Sequence, residues 1–175
     1  LLGIPQSMLY FLPKAESPEK QNALISRCLN IISMLGLVFA LCLLIFRGVI
    51  ATLFHNPALE KLLIIYALYP AFLFVTQFFS SVMLGLKQPL KAATFTIFSV
   101  TADFILIVGS ALLTRNLNII VCGVIISAFL QWLYARISLS QFRAKGTYFD
   151  LSSFKALMSY SLPLGLSSII GMLSV

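Results

Sequence analysis

Long uncharged stretches alternate with single charges or short polar turns along this chain. Arg27 and Arg47 enclose 19 uncharged residues, Lys61 and Lys87 enclose 25, and Arg115 and Arg136 enclose 20. Lys91 and Arg115 enclose 23 residues, of which Asp103 alone is charged, and 20 more follow Lys155. A helix needs roughly 20 apolar residues to cross a bilayer. The pattern therefore predicts five spanning helices, with residues 1–13 as the tail of a sixth. Both termini fall inside apolar runs, so the intact protein is expected to be longer.

Polar punctuation sets the expected boundaries. The first full helix is expected over residues 21–46, with residues 48–54 as a short apolar piece lying at the outer interface. Asn56-Pro57 is a helix start, since Asn caps well and Pro suits the first helical position. The next helix runs to Leu86 with Pro70 inside it. Lys87-Gln88-Pro89 makes a tight turn. Helices over residues 90–113 and 118–142 follow, joined by Arg115-Asn116. The polar stretch 143–153 reads as a loop, and a last helix begins near Ser153.

Composition agrees with a lipid solvent. Hydrophobic residues make up 60% of the chain and charged residues only 10%, against roughly 25% charged in a soluble domain. The fold class is all-α, a polytopic transmembrane bundle. The net charge of +7 does not point to nucleic acid, because the basic residues are separated by lipid-length runs and form no continuous patch. They sort by side instead. One set of connections holds Lys14, Lys20, Arg27, Lys87, Lys91, Arg136, Arg143, Lys145 and Lys155; the other holds Arg47, Lys61 and Arg115. The positive-inside bias makes the first set cytoplasmic.

Chemistry-bearing motifs are scarce. Cys28, Cys42 and Cys122 lie in apolar runs without C-x-x-C spacing, so neither a disulfide framework nor a zinc site is supported. His55 is the only histidine. The sequence contains no P-loop, dinucleotide fingerprint, zinc-protease motif or His/Asp/Ser set. The reading is a protein that is not an enzyme and needs no cofactor or metal.

Polar residues inside the apolar runs carry the functional signal. Asp103 is 12 residues from both Lys91 and Arg115, about 18 Å from each end of its helix. A carboxylate at the bilayer centre costs about 2.5–3.5 kcal/mol, so Asp103 is expected to face the bundle interior. On a regular helix Thr96, Ser99, Ser110 and Thr114 fall within about 40° of it. Weaker stripes comprise Gly123, Ser127, Gln131, Tyr134 and Ser138; Asn22, Ser26, Asn30 and Ser33; and Gln77 with Ser80 and Ser81. Together they suggest a shared hydrophilic cavity, although small and polar residues also serve plain helix packing. Asp103, Ser99, Ser110, Asn30, Gln77 and Gln131 are the candidate transport-path or coupling residues. Arg47 and Arg115 are candidate anion contacts near the outer surface. Pro70 and Pro163, the latter with Gly165, are candidate hinges, because proline removes a backbone hydrogen bond.

Three stretches are similar to a known family. Gly3-Ile4-Pro5-Gln6-Ser7-Met8-Leu9-Tyr10-Phe11-Leu12-Pro13-Lys14 resembles the end of the second helix of polysaccharide biosynthesis proteins, the O-antigen-type flippases. Gly85-Leu86-Lys87-Gln88-Pro89-Leu90-Lys91-Ala92-Ala93 is similar to their inner turn after the fourth helix. Tyr160-Ser161-Leu162-Pro163-Leu164-Gly165 resembles the start of their seventh. The resemblance extends over the whole chain as helices two to seven of the MATE-like multidrug/oligosaccharidyl-lipid/polysaccharide exporter superfamily.

The resemblance implies two pseudo-symmetric helical bundles around a central cavity, working by alternating access in the cytoplasmic membrane. Residues 1–142 would belong to the first bundle, 143–153 would be the cytoplasmic linker, and 154–175 would open the second. The implied cargo is an undecaprenyl-pyrophosphate-linked glycan, and polysaccharide polymerase machinery is the expected partner besides the lipid bilayer. A cation-coupled multidrug exporter of the same superfamily is the nearest alternative. A non-transporting membrane scaffold subunit is the other.

Overall fold

The fold was taken from a computed structural model that describes residues 3–15, 17–114, 116–142, 155, 159–161, 163 and 165. Helix α1 (Ile4–Lys14) starts behind Gly3, whose φ of 70° lies in the left-handed region, and carries Pro5 in its first turn, where a missing N–H costs nothing. Helix α2 (Pro18–Leu53) is capped by Ser17, whose Oγ accepts the Lys20 N–H at 3.3 Å, with Pro18 and Glu19 in the first turn.

Helix α2 is continuous for 36 residues, which corrects the expectation of a separate interfacial piece over 48–54. Gly48 alone costs only about 1 kcal/mol in a helix, too little to end one that continues through the helix-compatible run 49–53. Termination waits for His55, with a φ of 51°, and for Asn56 before Pro57, a position biased away from helix. The Asn56 Oδ1 then accepts the Ala58 N–H at 3.1 Å and starts the next segment.

That segment was expected as one helix through Pro70. It is instead α3 (Ala58–Tyr66) and α4 (Tyr69–Gly85), bent by 41° at the break. Pro70 has no N–H to offer the Tyr66 carbonyl one turn earlier, so the ladder opens there. Lys87, with a φ of 57°, then turns the chain into α5 (Pro89–Asp103), whose first position is again proline. A π-helical turn (Phe104–Val108) follows, then α6 (Gly109–Thr114). These three pieces form one 26-residue span. Asn116 caps α7 (Leu117–Ser140) by accepting the Asn118 N–H at 3.0 Å.

Among the described residues there is no β-strand, and three spans are long and apolar enough to cross a membrane, or four if α3 and α4 are one bent span. Helix α1, with 11 residues, is too short to cross. The 143–153 connection lies outside the described residues, as does most of the last expected helix. Its Tyr160 stacks on Tyr10 at 5.0 Å and meets Phe11 edge-on at 5.3 Å, so that segment packs against α1.

Helix α4 is the centre of the bundle and touches α1, α2, α5 and α7. Its Val75, Phe78, Phe79, Val82 and Met83 are buried against Ile4, Met8 and Leu12 of α1 and Ile25, Cys28 and Ile32 of α2. Gly36 brings α2 into backbone contact with α4: a Cβ there would lie 2.9 Å from the Ala71 Cα. Lipid tails are as apolar as leucine, so such close contact, not the hydrophobic effect, holds helices together in a bilayer. The outward positions, such as Leu112 and Leu113, are large, apolar and exposed, as lipid-facing residues must be.

Candidate functional site: a polar cleft at the middle of the span

Asp103 closes α5 where the winding changes, and it reaches across to α7. Its Oδ1 accepts the Ser127 hydroxyl at 2.5 Å and the Gln131 Nε2 at 2.9 Å, and the same Nε2 donates to Ser127 Oγ at 3.1 Å. The local sequence explains the clasp. Gly123, Ser127 and Gln131 are spaced by four and share one face of α7. Gly123 is the close-approach point, since a Cβ there would lie 2.7 Å from the Leu106 carbonyl oxygen in the π turn. With the backbones that near, the short Ser127 side chain reaches the carboxylate and is completely buried.

A cleft of about 370 Å³ opens beside this clasp between α4, α5 and α7. Tyr69, Thr76, Gln77 and Ser80 line it from α4, Thr96, Ser99 and Asp103 from α5, and Gln131 from α7. Among the described residues no lysine or arginine lines it, so none of them gives the one carboxylate a cationic partner. Ser99 Oγ is buried without a hydrogen-bond partner one turn before Asp103. Such a lining can hold a proton or a small cation, or hydrogen-bond to hydroxyl groups; an anionic group would meet the carboxylate unfavourably. No group of three metal-binding side chains occurs among the described residues.

Four of the candidate path residues, Asp103, Ser99, Gln77 and Gln131, lie on this one cleft. Ser110 does not. Its Oγ donates to the Ile107 carbonyl at 2.9 Å and lies by Gly123. A π turn holds one residue more than an α turn, so everything beyond it is rotated by about 100° relative to the regular helix used to align Ser110 with Asp103. Asn30 is exposed on α2 and is not part of the lining. Arg47 pairs with Glu60, Nε to Oε1 at 3.2 Å, joining α2 to α3. Arg115 lies outside the described residues. Pro70 sits in the first turn of α4, just past the bend. Pro163 and Gly165 are both helical. Sequence reasoning placed Ser127 on a polar stripe without singling it out, although its spacing of four from both Gly123 and Gln131 was visible. Tyr69 and Thr76 gave no signal, being isolated polar positions in an apolar run.

Apolar spans around a polar interior cleft define a polytopic helical membrane protein. The chain belongs to the polysaccharide biosynthesis protein family, whose family model matches residues 1–175. No curated protein and no solved structure gives a significant match.

Proposed function

We propose that the intact protein flips an undecaprenyl-pyrophosphate-linked oligosaccharide from the inner to the outer leaflet of the cytoplasmic membrane, and performs no covalent chemistry. The observation that carries this reading is the Asp103 cleft, a polar interior halfway along apolar spans in a chain of the polysaccharide biosynthesis family. Asp103 is the coupling residue, with Ser99, Gln77 and Gln131 as cleft wall. The basic residues of the 87–91 turn and of 143–153 face the cytoplasm, with 143–153 linking two bundles. The bend at Pro70 and a hinge at Pro163 let one bundle rock against the other around a midplane site.

The pyrophosphate needs cationic contacts away from Asp103. Arg47 is one candidate, because its pair with Glu60 is half exposed and such pairs are worth about 0–1 kcal/mol, little enough for a phosphate to displace. Arg115 is the other. Polysaccharide polymerase machinery would take the product at the outer leaflet.

Deletion of the gene tests the reading. Lipid-linked repeat units should accumulate on the inner leaflet and the surface polymer should disappear. A deletion strain that still exports polymer but becomes sensitive to cationic drugs would instead establish the multidrug-exporter alternative, for which the unpaired acid in the cleft is the favouring observation.

A further inference from the structure

We propose that the π turn Phe104–Val108 is a two-state winding switch, held in its present form by the Asp103 clasp. When the clasp opens, the turn rewinds to α and its surplus residue passes outward, turning α6 against α7.

Three observations meet at this point. The π turn begins at the residue after Asp103. The two hydrogen bonds on Asp103 Oδ1 are the only side-chain hydrogen bonds from the Pro89–Thr114 span to another helix among the described residues. They therefore hold the span just below the place where its winding is irregular. Secondly, nothing in Phe104–Val108 or Gly109–Thr114 is buried. Apart from its contact with α7 around Gly123, the outer part of the span has no fully buried side chain to displace. Gly123 presents no side chain that would block Leu106 as it passes.

Thirdly, a released carboxylate has somewhere to go. Ser99 Oγ lies buried and unpartnered one turn before Asp103, at the spacing that puts two side chains on one helix face. It is a vacant donor for the carboxyl group once Ser127 and Gln131 let go. Single π turns inside α-helices carry one surplus residue and cluster at functional positions. Rewinding this one would rotate α6 by about 100°, one residue's worth of helix. The trigger is any cleft occupant that competes for Asp103. The switch deepens the flippase reading by supplying a motion at its coupling residue, yet its test needs no transport.

The test is disulfide cross-linking in the full-length protein in native membranes, with Cys28, Cys42 and Cys122 replaced by serine. A fixed cysteine at Ile120 on α7 is paired in turn with single cysteines through 109–114. The parent should give one cross-linking maximum. Ser127→Ala combined with Gln131→Leu should move that maximum by one position along 109–114. Deleting Ile105 removes the surplus residue, so the maximum should stay at the parent position even when the clasp is also removed. A maximum that stays put after clasp removal in the undeleted protein overturns the switch, as does an equal shift with and without Ile105. Should the deletion variant fail to fold, Ser127→Ala alone decides: an unchanged maximum overturns the proposal. Loss of polymer export with an unmoved maximum would leave the flippase reading standing and sink only the switch.

Discussion

The two sides of α4 are built on opposite principles. Towards α1 and α2 it presents Phe78, Val82 and Met83, all fully buried in a dry seam. Towards α5 and α7 it presents Thr76, Gln77 and Ser80 along a polar cleft. In lipid neither seam gains from the hydrophobic effect. The dry seam is held by shape alone and tolerates no second arrangement at its packing density. The wet seam is held by a few hydrogen bonds that can be exchanged for others. One half of the bundle is therefore a frame, and the other is the part able to change.

The comparison can be broken most forcefully on the dry side. Phe78→Ala should lower stability by about 2–3 kcal/mol in a micellar unfolding titration. This lies below the roughly 3–5 kcal/mol usual for Phe→Ala in water-soluble cores, because the unfolded side chain stays in an apolar medium. A loss under 1 kcal/mol would mean that the seam is not the frame. Gly123→Val probes the border between the halves. Its Cβ must be accommodated within 2.7 Å of the Leu106 oxygen, so overpacking should cost about 1–3 kcal/mol and weaken the clasp. A fully stable variant would show that α7 and the π turn are not in contact.

Smaller effects should come from the wet side. Ser127→Ala removes one hydrogen bond to Asp103 and should cost about 1 kcal/mol, since interhelical hydrogen bonds in membranes average ~0.6 and reach ~1.7 kcal/mol. Flux of lipid-linked glycan should fall by a larger factor than this stability loss explains. Asp103→Asn keeps an acceptor oxygen for Ser127, so any drop in flux reports the charge itself, and full flux would make the carboxylate purely structural. Least of all should follow from Arg47→Ala, within about 0.5 kcal/mol for a half-exposed ion pair. A larger loss would make α3 part of the frame.

Much of this division could be read from residue order. Charge gaps located the spans that fall among the described residues, since a charge inside lipid is costly wherever it falls, and the same cost singled out Asp103. Pro70 announced an interruption, but not whether the helix would bend or break; that depends on how α4 seats against Gly36 of α2, a tertiary matter. The run through Gly48 was misplaced because a charge gap ending at Arg47 marks a membrane surface and not a helix end. The π turn left no trace: Phe104-Ile105-Leu106-Ile107-Val108 is as apolar as an α-helical run would be. Ser110 was put on the Asp103 face for that reason. Asn30 shares a polar stripe with Ser26 yet faces outward, because periodicity gives a face without naming its neighbour.

The length of α2 has a consequence for the bilayer itself. Its 36 residues extend about 54 Å, nearly twice the ~30 Å hydrocarbon thickness. Its longest charge-free run, residues 28–46 between Arg27 and Arg47, measures about 28 Å. The helix thus carries a ruler marked by two arginines, with roughly two and a half turns before Arg27 and nearly two turns after Phe46. A thicker membrane would have to thin around it or pull an arginine inward, each at fractions of a kcal/mol per ångström. Acyl-chain length is in this way a variable to which the protein responds, and it should be most stable where hydrocarbon thickness equals that ruler.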